Sequence, residues 1–456
     1  MKPVSTTKYV GIIFFLAGVL LLMWPALYNG YPLVYSDTGT YLKTSIILEP
    51  PADRPVGYGF FIRAVTWEAT TWTVVIAQAV IIYLLTLRAV KLFFKRPLFL
   101  HFCIIFLLAF LSSLPWYTAQ LMPDVFAGVV ILTVFLFFYD ADTWTRRILY
   151  GFLLAFFTLF HYSFFPVVFL TATVVVMLKL RRLRTEKVFL FKYLSVLACL
   201  GAAVLFVMGY NYSERGKFQF SFSSNVFLVA KFTDGGVLSA YLKDNCGKKD
   251  IIFCNYKDSM DITPMVFLWS PNLAFQREHM VWEEVNDRCG VIVHDVLSTA
   301  KYRNMFLKEA VRATIAQLQE NKIGSGMNSY GGIEGVPGNW INSDFEGEVH
   351  QYLNARQNHE NMEDLTINRY NQRILIVSTL LIFAGLCYRP VRKQLLPLLV
   401  VCLFGVLFNA FATAALANVY DRLQARVTWL LLFGAMLVIS CAVKHWRNKK
   451  KAALHP

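Results

Sequence analysis

The stretch YVGIIFFLAGVLLLMWPALY, residues 9–28, runs for twenty positions without a charged side chain. As a helix it rises about 30 Å, the thickness of the hydrocarbon core of a bilayer. Runs of the same kind recur near 72–92, 97–115, 124–139, 147–161, 164–180, 189–210, 373–388, 394–413 and 427–444, the fifth and sixth being separated only by HYSFFP. Only 16% of the residues are charged, 56% are hydrophobic and the mean hydropathy is +0.48. A soluble globule carries about one quarter charged residues. The chain therefore reads as an all-α polytopic membrane protein with about ten transmembrane helices and a mainly helical external domain inserted between the seventh and eighth spans.

A net charge of +15 raises the question of a nucleic-acid partner, and the distribution of the charge answers it. Lys2, Lys8, RAVKLFFKR (88–96), DADTWTRR (140–147), KLRRLRTEK (179–187), YRPVRK (388–393) and KHWRNKKK (444–451) all fall on one side of the expected topology. The segment 211–371 falls on the other, with 16 basic and 20 acidic residues. By the positive-inside rule both termini are cytoplasmic and 211–371 is outside. The basic balance thus reports topology, and no nucleic acid is implied. No small-x-small cleavage site follows the first run, so it reads as a retained signal anchor. Three units follow: 1–210, an N-terminal transmembrane module with external loops; 211–371, an external domain; and 372–456, a C-terminal transmembrane module with a basic tail.

Five of the eight cysteines lie in apolar spans, and Cys246, Cys254 and Cys289 lie in the external segment. In an oxidising compartment CGKKDIIFC (246–254) can close as a disulfide, two other pairings being open. Within the same segment 291–319 reads as helix and the Gly-, Asn- and Ser-rich IGSGMNSYGGIEGVPGNW (323–340) as a flexible loop. EPPADRP (49–55) is a turn, and GYGFFIRAVTWEATTW (57–72) has the character of an interfacial segment before the second span. Neither G-x-x-x-x-G-K-[ST] nor G-x-G-x-x-G occurs, which argues against a cytosolic nucleotide substrate. Chemistry is expected at the outer face.

Four features stand out there. Asp37, the only formal charge in YSDTGTYL (35–42), can cap a short helix or serve as a general base or metal ligand. Asp124 in LMPDVFAG lies at the outer mouth of the fourth span, where a carboxylate also suits a helix N-terminus. Together the two carboxylates are the hard oxygen ligands that Mg²⁺ or Mn²⁺ takes. His161 ends the fifth span, and a helix-end histidine is more often structural than catalytic. In NVYDRLQARVTWLL (418–431), Arg422 and Arg426 are four residues apart and share a helix face. Two guanidinium forks on one face suit a phosphate, or they snorkel to lipid headgroups. Arg63 and Lys43 can add phosphate contacts, while Asp53 and Arg54 beside Pro55 read first as a turn.

The run Tyr35-Ser36-Asp37-Thr38-Gly39-Thr40-Tyr41, followed by Asp53-Arg54-Pro55-x-Gly57-Tyr58, resembles the GT-C superfamily of polytopic glycosyltransferases that use polyprenyl-phosphate sugars. The resemblance covers mainly 9–180, with Asp124 where such enzymes often carry a second acidic residue and Asp421-Arg422-x-x-x-Arg426 similar to a late Arg/Tyr motif. FLVAKFTDGGVLSAYLKDNC (227–246) is similar to a set of bacterial membrane proteins. The usual acidic pair is here Asp-Thr. The resemblance implies an inverting membrane transferase of the bacterial cytoplasmic membrane, with its large loop periplasmic. Its partners would be a polyprenyl-phosphate-linked sugar, a glycan, lipid or protein acceptor, and membrane lipid. Asp37, Asp124 and His161 would be catalytic. Tyr35, Tyr41, Lys43, Arg54, Tyr58, Arg63, Tyr420, Arg422 and Arg426 would bind substrate. An O-antigen ligase or polymerase type of transferase, relying on Arg and His without a carboxylate base, and a lipid-linked glycan transporter or flippase are the alternatives.

Overall fold

A computed structural model describes residues 6–179, 187–270, 282–360 and 362–454 of the protein; Lys2 and most of the basic run 179–187 lie outside them. Among the described residues there is no strand. Among the described residues six helices are long and apolar enough to cross a membrane, the first beginning at Tyr9 and the last ending at Ala452. These make the chain a multi-pass membrane protein. Four of the expected spans are shorter helices, Pro97–Leu111, Phe126–Tyr139, Trp144–Thr158 and Phe164–Leu178, of 14 or 15 residues each. Helices of that length rise about 22 Å, short of the hydrocarbon thickness. Ser112 in extended backbone, Pro123 in a single 3-10 turn and the turn at 161–163 set one end of each.

Large apolar side chains on the bundle's outside, Ile13, Leu16, Leu205, Phe191 and Leu380 among them, are more than half exposed. In water such a surface would drive aggregation, whereas lipid tails cover it without cost. Inside, Phe126–Tyr139 is buried along nearly its whole length, ringed by its neighbours.

The two ends of the bundle differ in chemistry. At one end the basic loops meet. The carbonyl of Phe93 accepts from Gln394 Nε2 at 2.9 Å and Lys444 Nζ at 3.5 Å, and buried Asp140 pairs with Arg88 at 2.7 Å and Arg146 at 3.3 Å. At the other end the loops 30–71 and 112–125 meet the segment 211–371.

That segment draws on two hydrophobic cores. One is its own, built from Val226, Val229, Phe232, Tyr241, Phe253, Phe267, Cys289 and Ile292 among others. Cys246 and Cys254 sit at disulfide distance beside it, and Cys289 is free and buried within it. Residues further on, Ile323, Met327, Ile341, Phe345, Tyr352 and Met362, belong instead to the core of the bundle. The helix expected over 291–319 is two, Trp282–Ser298 and Ala300–Gln317, because Thr299 takes an extended conformation at φ −86°, ψ 119°.

The stretch 323–340 is irregular as its composition predicts, but it is packed over the Asp37 motif. Gly326, at φ 80°, lies so close to the Tyr35 ring that a Cβ would overlap it, and a Cβ on Gly39 would overlap Val336. Two side chains pin this cover. Gln357 takes the role of a strand partner, accepting from Val34 N at 3.0 Å and donating to Val34 O at 2.7 Å. Glu348 is buried and accepts from Thr71 N at 3.0 Å, Thr71 Oγ1 at 2.6 Å, Tyr31 Oη at 3.1 Å and the Thr70 hydroxyl. Glu348→Ala leaves those donors unpaired, an expected loss of about 3 kcal/mol. A lower apparent melting temperature, with faster proteolysis within 323–340, is the result that checks it.

Candidate functional site

The first helix, Thr6–Asn29, ends at Gly30 (φ 81°), and the chain then runs extended toward Tyr35. Leu33 joins the loop before the fourth span through an isolated parallel bridge, donating to Ala119 O at 2.9 Å and accepting from Leu121 N at 2.9 Å. This register brings the Asp37 and Asp124 loops side by side. Tyr35 N donates to Thr38 Oγ1 at 2.8 Å, starting the helix Thr38–Ile47. Asp37 stands at its N-cap position, yet its carboxylate makes no capping hydrogen bond. It turns to arginines instead.

Asp37 Oδ2 accepts from Arg422 Nη2 at 3.1 Å, and Oδ1 lies 3.4 Å from Arg54 Nη2. The same Arg54 Nη2 donates to Asp53 Oδ2 at 2.5 Å, and Arg54 Nε donates to Asp53 Oδ1 at 3.1 Å. Deeper in, Arg426 donates to Asp124 Oδ1 at 3.0 Å, Ser163 Oγ at 3.0 Å and Asn409 Oδ1 at 3.1 Å. Arg422 Nη1 stands 3.9 Å from Asp124 Oδ2, beyond hydrogen-bond reach. The cluster grades in depth: the Asp37 side chain is 26% exposed and Arg422 14%, whereas Asp124 is 2% exposed and Arg426 fully buried. Rings stack beneath the cations, with Tyr35 3.9 Å from the Arg422 guanidinium and Tyr41 5.1 Å from that of Arg54. Tyr420 Oη lies 3.4 Å from Tyr35 Oη, and Tyr58 packs edge-on against Tyr41 while donating to Gln78 at 3.0 Å.

Polar satisfaction separates this cluster from the other buried carboxylates. Asp140 accepts from Arg88, Arg146 and Tyr150, and Glu348 is fully engaged, so both read as structural. Among the described residues four buried guanidinium nitrogens of the Asp37 cluster, Arg54 Nη1, Arg422 Nε and Nη1, and Arg426 Nε, have no hydrogen-bond partner, nor has Asp124 Oδ2. Buried donors of that number are seldom left open without a ligand or water to fill them. Three guanidinium groups converging with free N–H bonds suit an anion with several oxygens, such as a phosphate. No family model matches this chain, and neither a curated protein nor a solved structure does.

Of the sequence candidates, Tyr35, Asp37, Tyr41, Arg54, Tyr58, Asp124, Tyr420, Arg422 and Arg426 gather here. Lys43 and Arg63 do not: Lys43 pairs with Glu49 at 3.5 Å and Arg63 with Glu68 at 3.1 Å, both on the surface. Arg54 is no mere turn residue, since its guanidinium reaches Asp37. Asp37 and Asp124, the two carboxylates expected to ligate a divalent cation, lie in one cluster with the arginines. Each is engaged by arginine, and among the described residues no group of three or more His, Cys, Asp and Glu converges. Asn409, Ser163 and the covering loop were not singled out from sequence. Asn409 had a visible signal as a lone amide in an apolar run.

Burial opposes the charge of Asp37, but Arg54 and Arg422 outweigh it and hold the carboxyl well below the usual carboxylate range. His161 lies behind Ser163, its Nδ1 3.1 Å from Ser163 N and 2.8 Å from Ser163 Oγ. Burial first, then the charges of Arg426, Arg422 and Arg54, push its pKa well below 6.5 and keep the ring neutral. The unfolded chain therefore binds a proton below pH 6.5 that the folded chain refuses, so stability is full above that pH and falls as pH drops below it. Thermal melts from pH 8 to pH 5 are expected to show this slope, shallower in His161→Asn.

Proposed function

We propose that the protein transfers a sugar from a polyprenyl-phosphate donor to an acceptor hydroxyl at the outer end of the bundle, with Asp37 as base and the arginines holding the lipid phosphate. The observation that carries the reading is the set of unpartnered guanidinium N–H groups around Asp37. In this scheme the donor phosphate takes N–H bonds from Arg422 and Arg54, and Asp37, released from part of its ion pairing, regains basicity. The acceptor oxygen gives its proton to Asp37 and forms a bond to the sugar C1 as the C1–O bond to phosphate breaks. The electron pair stays on the phosphate, where the guanidinium groups stabilise it. A leaving phosphate is a weak base and needs no general acid.

The charge asymmetry of the loops supports an inner-membrane setting with cytoplasmic termini and an outward-facing 211–371, and the short apolar helices are compatible with about ten crossings in a locally thinned bilayer. One observation favours a second reading. A carboxylate paired to two arginines is a poor base, which suits a ligase or polymerase type of transferase that uses cationic groups alone.

The test is sugar release by the purified protein from a panel of labelled polyprenyl-phosphate donors, with wild type, Asp37→Asn and a chelator arm. Turnover lost in Asp37→Asn supports the first reading, and the chelator arm decides whether Asp124 belongs to a metal site. Turnover retained in Asp37→Asn selects the second. No product with any donor removes both and favours a transporter.

A further inference from the structure

At the opposite, basic end of the bundle lies a cavity of about 410 Å³ lined by Arg389, Pro390, Lys393, Gln394 and His445. It is formed where the first turn of the helix Arg389–Leu416 faces the late part of Asp421–Leu454. Gln394 forms a committed wall, donating to Phe93 O at 2.9 Å and accepting from Cys441 Sγ at 3.3 Å. The other polar groups are uncommitted. Among the described residues neither Arg389 nor Lys393 has a carboxylate partner, and the buried Nε2 of His445 has no hydrogen-bond partner. Tyr388, 46% exposed, and Trp446, 61% exposed, adjoin the lining residues Arg389 and His445 in sequence. Aromatic residues so placed sit at the level of the lipid headgroups. The helix beyond carries Arg447, Lys449, Lys450 and Lys451.

We propose that this cavity binds the phosphate headgroup of an anionic phospholipid from the leaflet at the basic end. A zwitterionic headgroup brings its own cation and gains little there. An anionic one supplies the negative charge that Arg389 and Lys393 lack, and its phosphate or glycerol oxygens meet the open His445 nitrogen. The cavity is separate from the Asp37 cluster and independent of any transferase activity.

The experiment measures phosphatidylglycerol retained by the purified full chain in phosphatidylcholine nanodiscs, with inorganic phosphate and glycerol phosphate as soluble competitors. Arg389→Gln/Lys393→Gln is expected to lower retention on the order of tenfold. Lys449→Gln/Lys450→Gln, on the exposed tail, is expected to leave it nearly unchanged. Competition by inorganic phosphate alone would mark the site as one for free phosphate. Equal retention in the cavity variant, or loss only in the tail variant, would overturn the proposal. If the cavity variant does not yield monodisperse protein, a photoreactive phosphatidylglycerol on wild type decides: adducts within 388–394 or 441–447 support the site, and adducts confined elsewhere refute it.

Discussion

Asp37→Asn is expected to lower turnover on the order of 10²- to 10⁴-fold while leaving the KM for the lipid donor unchanged or lower. The two parameters separate because Asp37 has two physical roles in the proposed site. As base it accepts the proton that the acceptor loses, and an amide cannot. As anion it pairs with Nη2 of Arg422 and of Arg54, beside the open N–H groups a donor phosphate needs, so its neutral isostere leaves those guanidinium groups with more uncompensated charge to attract the phosphate. Arg422→Gln should do the reverse, raising the donor KM and loosening Asp37. A variant enzyme that lost kcat and donor affinity together in Asp37→Asn would point to a collapsed site, since asparagine keeps the shape. A melting curve matched to wild type is the control.

Arg426→Met carries the largest expected loss of stability, about 3 to 5 kcal/mol. Asp124 is 2% exposed and, among the described residues, its Oδ1 accepts only from Arg426; Arg422, at 3.9 Å from Oδ2, is too far for a hydrogen bond. Without Arg426 a carboxylate remains in the bundle with weak compensation, and Asn409 Oδ1 and Ser163 Oγ lose a donor as well. The double change Asp124→Leu/Arg426→Met removes both charges and should recover most of the loss, because a buried ion pair contributes little net stability beyond an apolar replacement. Apparent melting temperatures in detergent for the two singles and the double test this. Single variants as stable as wild type would mean that water reaches Asp124.

Much of this site was legible as separate residues. Asp37, Asp124 and the Arg422/Arg426 pair stand out because charge beside a bilayer is costly and rarely accidental. Asp37 has the sequence position of a helix cap and Arg54 that of a turn, and in each case the distant partner decides. Lys43 and Arg63 lie near the motif in sequence but on faces of their short helices that lead away from the cluster, to Glu49 and Glu68. Glu348 and Gln357 act on residues more than 270 positions away, and local pattern carries no signal for such pairings.

By itself the sequence determined the membrane class, the positions of the apolar helices and the separation of a basic end from the more acidic segment 211–371. These follow from composition and charge along the chain, which need no knowledge of neighbours. Tertiary structure alone decided that four apolar runs are too short to span in the ordinary way, that 323–340 covers the Asp37 motif, and that Asp37 and Asp124 each face an arginine. Helix length depends on where caps and turns interrupt an apolar run. The partner of a buried charge depends on which loops the bundle brings together, and in a helical membrane protein that is set by packing across the whole chain.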